Sequence, residues 1–202
     1  SGNIVIPSIV AVNGRTYTVV EIDELAFSDD AALVSVIIPN TVTSIGVGAF
    51  KNCTGLTAID IPNSVETIEG YYRYGAFWGC SNLVSIGFPN SLRTIGEYAF
   101  GECSGLISID LPNSLREIGQ YAFYNCTSLV SIDWPQNINE LSLGVFCGCT
   151  SLESYIIPDH IVSIGDVAFS GCTNLYSITI PNSITHIGVN AFGNCTGLTS
   201  IV

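Results

Sequence analysis

Basic residues are nearly missing from this sequence. Lys and Arg number 5 among 202 residues, and all of them (Arg15, Lys51, Arg73, Arg93, Arg116) lie at or before position 116. Against them stand 17 Asp and Glu, for a net charge of −12. Such a field repels nucleic acid and anionic membrane surfaces, which excludes both as partners. Long apolar runs are missing too. Although 48% of the residues are hydrophobic, Pro, Asn, Gly or Ser breaks every apolar stretch within about ten residues, too short for a spanning helix. Disorder is equally excluded, since only 11% of the residues are charged. The length suits one sizeable domain.

What is present is a period. Phenylalanine recurs at Phe27, Phe50, Phe77, Phe100, Phe123, Phe146, Phe169 and Phe192, every 23 residues except for one interval of 27 between Phe50 and Phe77. Proline keeps the same clock from Pro39 to Pro181, and leucine from Leu33 to Leu198. Within one unit, Leu106–Leu111 alternates as a short strand should, with Ile109 and Leu111 inward. Pro112 ends the strand because it has no N–H to donate, and Asn113-Ser114 supply a turn. Leu115 and Ile118 return to the core from a second extended stretch. Gly119 permits a bend, and Tyr121-Ala122-Phe123 predicts one tight helical turn on the opposite side. No single unit can bury both of its sides, so the units must stack. About eight 23-residue repeats are therefore expected, with a parallel β-sheet on one face, short helical turns on the other, and a right-handed winding.

The first residues follow another pattern. Asn13-Gly14 between apolar segments signals a hairpin, and Asp30 stands where later units carry Cys. Residues 1–30 are expected to form an N-terminal capping hairpin and an atypical first repeat. Repeats then occupy 31–202, with an insertion near 70–75. The sequence stops within a strand at Leu198-Thr199-Ser200-Ile201-Val202, so the last repeat is truncated and further modules are expected beyond it.

Chemistry-bearing constellations are scarce. Seven cysteines share one repeat position (Cys53, Cys80, Cys103, Cys126, Cys149, Cys172, Cys195), and only Cys147 is off that column. A spacing equal to the repeat length is not the clustering that zinc requires. Equivalent side chains on stacked units also point in parallel, which is poor disulfide geometry. The column therefore reads as small buried core thiols, with Cys147 partly exposed. His160 and His186 sit on successive repeats, offset by three places, too far for a shared metal or proton relay. There is no nucleophile elbow, phosphate loop or His-Glu-x-x-His pattern. No catalytic residue, metal site or cofactor is expected.

The repeated unit, with its "IPNSV…IG…AF…C..L..I" signature over about residues 17–202, resembles the BspA-type (Treponema pallidum-type) leucine-rich repeat. This resemblance implies a right-handed leucine-rich-repeat superhelix, a β-rich α/β solenoid. It also implies an extracellular or bacterial cell-surface location and adhesion by protein–protein contact with host or cell-surface macromolecules, glycans among them. A structural spacer that displays a neighbouring domain is the alternative.

Two regions are candidates for recognition. The four-residue insertion places Tyr71, Tyr72, Arg73 and Tyr74 between Gly70 and Gly75, a composition typical of binding hot spots, and Trp78 follows on the outer side. On the strand face, one outward column is nearly all Ser, whereas the other varies and contains Asp60, Asp110 and Asp133. Asp110 and Asp133 fall on adjacent rungs and suit a Lys or Arg of a partner. Calcium is disfavoured, since no loop supplies the further oxygens it needs. Trp134, in an inward strand column with Phe88 and Leu111, is expected in the core.

Overall fold

Each repeat makes three sides around one core, because three short segments of the unit place an apolar residue inward. The computed structural model describes residues 2–202. The first side is the predicted strand, shortened to three residues in most rungs: Ala58–Asp60, Ser85–Gly87, Ser108–Asp110, Ser131–Asp133, Ser154–Ile156 and Ser177–Thr179. Its middle residue is buried and its flanks face solvent in nearly every rung, the period-2 pattern of a half-buried strand. The second side is a ladder of two-residue strands: Glu21–Ile22, Ser44–Ile45, Thr67–Ile68, Thr94–Ile95, Glu117–Ile118, Glu140–Leu141, Ser163–Ile164 and His186–Ile187. Pairing within both ladders is parallel and in repeat register, as in Ser108↔Ser131, Ile109↔Ile132 and Thr94↔Glu117.

The third side corrects the expectation of helical turns. Among the described residues it contains no helix, and Tyr121-Ala122-Phe123 is not a helical turn. A helix requires negative φ and an N–H donated four residues back along the same segment. Here Tyr121 and Asn125 have φ of 54° and 53°. Their amides point along the solenoid axis: Tyr121 N donates to Leu143 O at 2.8 Å and Asn125 N to Cys147 O at 2.8 Å, with Phe123 N to Val145 O at 3.2 Å between them. The alternate amides stay local, with Ala122 N donating to Gly119 O and Tyr124 N to Tyr121 O. The result is a ribbon of β-turns whose every second N–H ties one repeat to the next. It satisfies the backbone polar groups that a helix would have satisfied internally.

Phe side chains from this ribbon fill the interior and stack rung on rung, with ring centroids 5.2 Å apart for Phe50–Phe77 and for Phe77–Phe100. Leu, Ile, Ala and Cys columns complete the core, and Trp134 lies within it at 5% exposure. Ahead of the first full repeat, Gly2–Val5 pairs in parallel with Leu33–Ile37 and so covers the first rung. The Asn13-Gly14 turn does join an antiparallel hairpin, Ile9–Val12 with Arg15–Thr18, whose residues are all exposed.

Candidate functional site

The insertion leaves the second ladder at Glu69-Gly70 and returns at Gly75. Left-handed backbone at Tyr72 (φ 25°) and Arg73 (φ 57°) turns it back sharply. The loop keeps its aromatics outside: Tyr71, Tyr72 and Tyr74 are 70%, 60% and 44% exposed. Lys51 Nζ lies 3.9 Å from the centroid of the Tyr74 ring, a cation–π contact that holds one edge of the loop. Tyr72 meets the edge of Tyr98 at 6.3 Å and Arg73 lies over Tyr72 at 6.0 Å.

Trp78 differs from its sequence reading as an outward residue. It is half-buried, because its indole lies across the following rung at Gly101, where a Cβ would stand 2.5 Å from the ring. It reaches Tyr98 at 5.4 Å and Tyr124, two rungs on, at 6.1 Å; Tyr98 in turn stacks on Tyr121 at 4.8 Å. Burial, followed by the neighbouring Tyr121 and Glu97, pushes the Tyr98 hydroxyl up to about 12. Tyr98 and Tyr121 occupy the same repeat position, 23 residues apart, two places before the core Phe. The loop thus stands exposed, with Tyr72 resting against this packed aromatic base.

Beside this loop the second ladder carries a groove of about 850 Å³ that spans successive rungs. Glu69, Glu97, Glu117, Glu140 and Asp166 line it, together with His186. Sequence reasoning passed over this groove. Its one signal on consecutive repeats was Glu117 and Glu140, 23 residues apart; Glu69 and Glu97 occupy other positions of the unit, so no single column marks the groove. The aspartates of the first ladder are elsewhere. Asp110 and Asp133 are in register on adjacent rungs, as their spacing implied, whereas Asp60 faces Gly87. The candidate residues therefore fall into two groups on different sides: Tyr71–Tyr74 with Trp78, and the Asp column. Among the described residues no three His, Cys, Asp or Glu side chains converge to hold a metal ion, and no helix is long and apolar enough to cross a membrane.

The sequence matches the BspA type Leucine rich repeat region, in six copies, over residues 20–74 and 72–199. The chain belongs to this family. A leucine-rich repeat protein from Bacteroides ovatus is 31% identical with a TM-score of 0.72; the match covers 98% of this chain and 62% of that one. The Treponema pallidum leucine-rich repeat protein is 33% identical with a TM-score of 0.71, covering 98% of this chain and 78% of that one. The chain thus spans less than two thirds of the length of the Bacteroides relative. A comparison with curated proteins found no match. Leucine-rich-repeat solenoids of this kind are typically non-catalytic scaffolds.

In this BspA-type solenoid the cysteine column is structural. Each thiol donates to the Phe carbonyl of the preceding repeat, from Cys53 to Phe27 O at 3.1 Å through Cys103 to Phe77 O at 3.1 Å and Cys195 to Phe169 O at 3.0 Å. The eight cysteines are unpaired. Burial pushes the Cys53 thiol up to about 11 and those of Cys80, Cys103, Cys126 and Cys149 higher still. They therefore remain protonated donors at neutral pH, the opposite of reactive thiolates. Cys147, outside this column, is partly exposed.

Proposed function

We propose that this BspA-type chain is the binding scaffold of an extracellular bacterial surface protein, and that it holds a protein partner with the insertion loop and the adjoining groove. The observation that carries this reading is the exposure of Tyr71, Tyr72 and Tyr74 on a loop that a packed aromatic base supports. Water-exposed rings held in place suit a contact surface: they bring large apolar area to an interface at low entropic cost. The groove beside them is lined by carboxylates, so the surface of the partner that enters it is basic. Charge complementarity of that kind steers encounter and weakens with salt. Asp110 and Asp133 offer a second, smaller acidic contact on the strand face.

The test is binding of the folded chain to a panel of matrix proteins and glycans, beside a variant with Tyr71, Tyr72, Arg73 and Tyr74 changed to Ser. Saturable binding to a protein, weakened at least ten-fold in the variant and reduced by salt, is the expected result. Binding that survives in the variant but is lost in D110N/D133N moves recognition to the strand face. If the folded chain binds nothing, the structural-spacer reading replaces this one.

A further inference from the structure

Two of the five basic residues in this acidic chain share one cleft. Arg93 and Arg116 occupy the same repeat position on adjacent rungs, with Arg116 N donating to Arg93 O at 2.9 Å. With Asn113, Ser114 and Asn137 they line a cleft of about 450 Å³ beside the Pro-Asn-Ser turns, separate from the groove described above. Stacking like charges at neighbouring positions is unfavourable in itself. Glu66, the carboxylate of the same column, sits one rung before Arg93 and does not line the cleft.

The hydrogen bonds within the cleft are lopsided. Arg93 Nη1 donates to the Ser114 carbonyl at 3.2 Å, which fixes its guanidinium beside the rung of Arg116. Asn113 Oδ1 accepts from Gln136 N at 3.1 Å, and the Asn113 carbonyl accepts from Asn137 Nδ2. The Ser114 hydroxyl donates to Leu92 O at 2.7 Å. Three oxygens of the cleft are thus engaged from inside the protein. The Gln136 amide also dictates the orientation of the Asn113 carboxamide, since only its oxygen can accept that bond; its NH₂ is left as a donor. Left over are that NH₂, a second N–H of Asn137, and the remaining guanidinium donors of two arginines. Asn137 Oδ1 and the Ser114 hydroxyl oxygen stay open as acceptors, but the free donors outnumber them and carry two positive charges, a balance complementary to an oxyanion.

We propose that Arg93 and Arg116, with the side-chain amides of Asn113 and Asn137, form an anion site for a single sulfate or phosphate ester group on a small or short ligand. Two guanidinium forks and an amide suit a tetrahedral group with three terminal oxygens. A long polyanion is excluded as occupant, because the net charge of −12 opposes every further negative group it brings.

The chain is titrated with inorganic sulfate, inorganic phosphate, a sulfated monosaccharide and a phosphorylated monosaccharide at constant ionic strength. The readout is the NMR shift of the Arg93 and Arg116 Nε–H and of the Asn113 and Asn137 side-chain amides. Saturable shifts with at least one ester, competed by its inorganic ion and weakened at least ten-fold in R93Q/R116Q, are expected; the tighter ester names the source. R93K/R116K, which keeps the charge but loses the fork, should weaken binding by a smaller factor. Non-saturating shifts, equal binding by R93Q/R116Q with an unchanged fold, or tighter binding of a long sulfated polymer than of the monosaccharide would each overturn the site.

Discussion

The repeats up to Phe123 and the single repeat 129–151 follow one pattern but are not equally well joined. Between Phe27 and Phe100 the Phe rings stack at 5.2–5.3 Å, whereas Phe123 and Phe146 are 6.2 Å apart and the next pair is tilted by 34°. Backbone pairing lapses at the same place. The second ladder runs unbroken from Glu21–Ile22 to Glu117–Ile118 and restarts at Glu140–Leu141. Two causes are visible. Gly119 N donates to Ile95 O at 2.7 Å, and a Cβ there would stand 2.5 Å from Glu97 N, so the normal spacing depends on glycine. The equivalent residue in 129–151 is Ser142, whose Cβ does not fit at that spacing. Its hydroxyl takes over the bond to the Ile118 carbonyl. Glu69 also replaces this glycine yet keeps its backbone bond, to Ile45 O at 2.8 Å, because the insertion that follows redirects the chain. The second cause is bulk: Trp134 and Tyr155 crowd Phe146 at 5.6 and 5.8 Å, where most rungs carry Ile or Leu. A solenoid inherits its strength one interface at a time, so an irregular unit is felt at the junctions it makes with its neighbours.

Replacing core rings on both sides of the junction should show the largest difference. Phe77→Ala is expected to cost about 3–5 kcal/mol, as deletion of a fully packed ring does. Phe146→Ala should fall at or below the bottom of that range, since the bulky Trp134 and Tyr155 beside it can close on the void. Urea midpoints measure both, and equal losses would remove the distinction between tight and loose repeats. Next in size is the glycine position. Gly119→Ala should cost about 1–3 kcal/mol by forcing rungs apart. Ser142→Ala, which loses only a hydroxyl bond, should cost about 1 kcal/mol. The reverse order would mean that Ser142 is the better fit. The smallest effect has the opposite sign. Trp134 Nε1 and Tyr155 Oη are buried without a hydrogen-bond partner. Tyr155→Phe deletes one of these orphans at almost constant shape, so it should stabilise the chain by about 1 kcal/mol; a loss of stability would reveal a partner for that hydroxyl.

Legibility followed distance along the chain. The core columns, the Asn13-Gly14 hairpin, the thiols and the Asp110–Asp133 pair were all readable, because each depends on a local period or on the repeat length. Trp78 was misplaced because the residue that buries it, Gly101, lies one whole repeat downstream. The acidic groove was missed because Glu97, Glu117 and Glu140 look like ordinary polar filler until the rungs are stacked.

Period and composition alone establish that a 23-residue unit repeats, which residues of that unit face inward, and that the chain carries a strongly acidic surface. The third side of the coil is set by the stacking of the repeats. Ala-Phe after a bend is compatible with a helical turn, and in one isolated unit that turn would satisfy its own amides. Stacked repeats instead offer each amide a carbonyl on the neighbouring rung, and left-handed residues such as Tyr121 and Asn125 turn every second N–H towards it. That choice depends on a neighbour 23 residues away, so no local pattern records it.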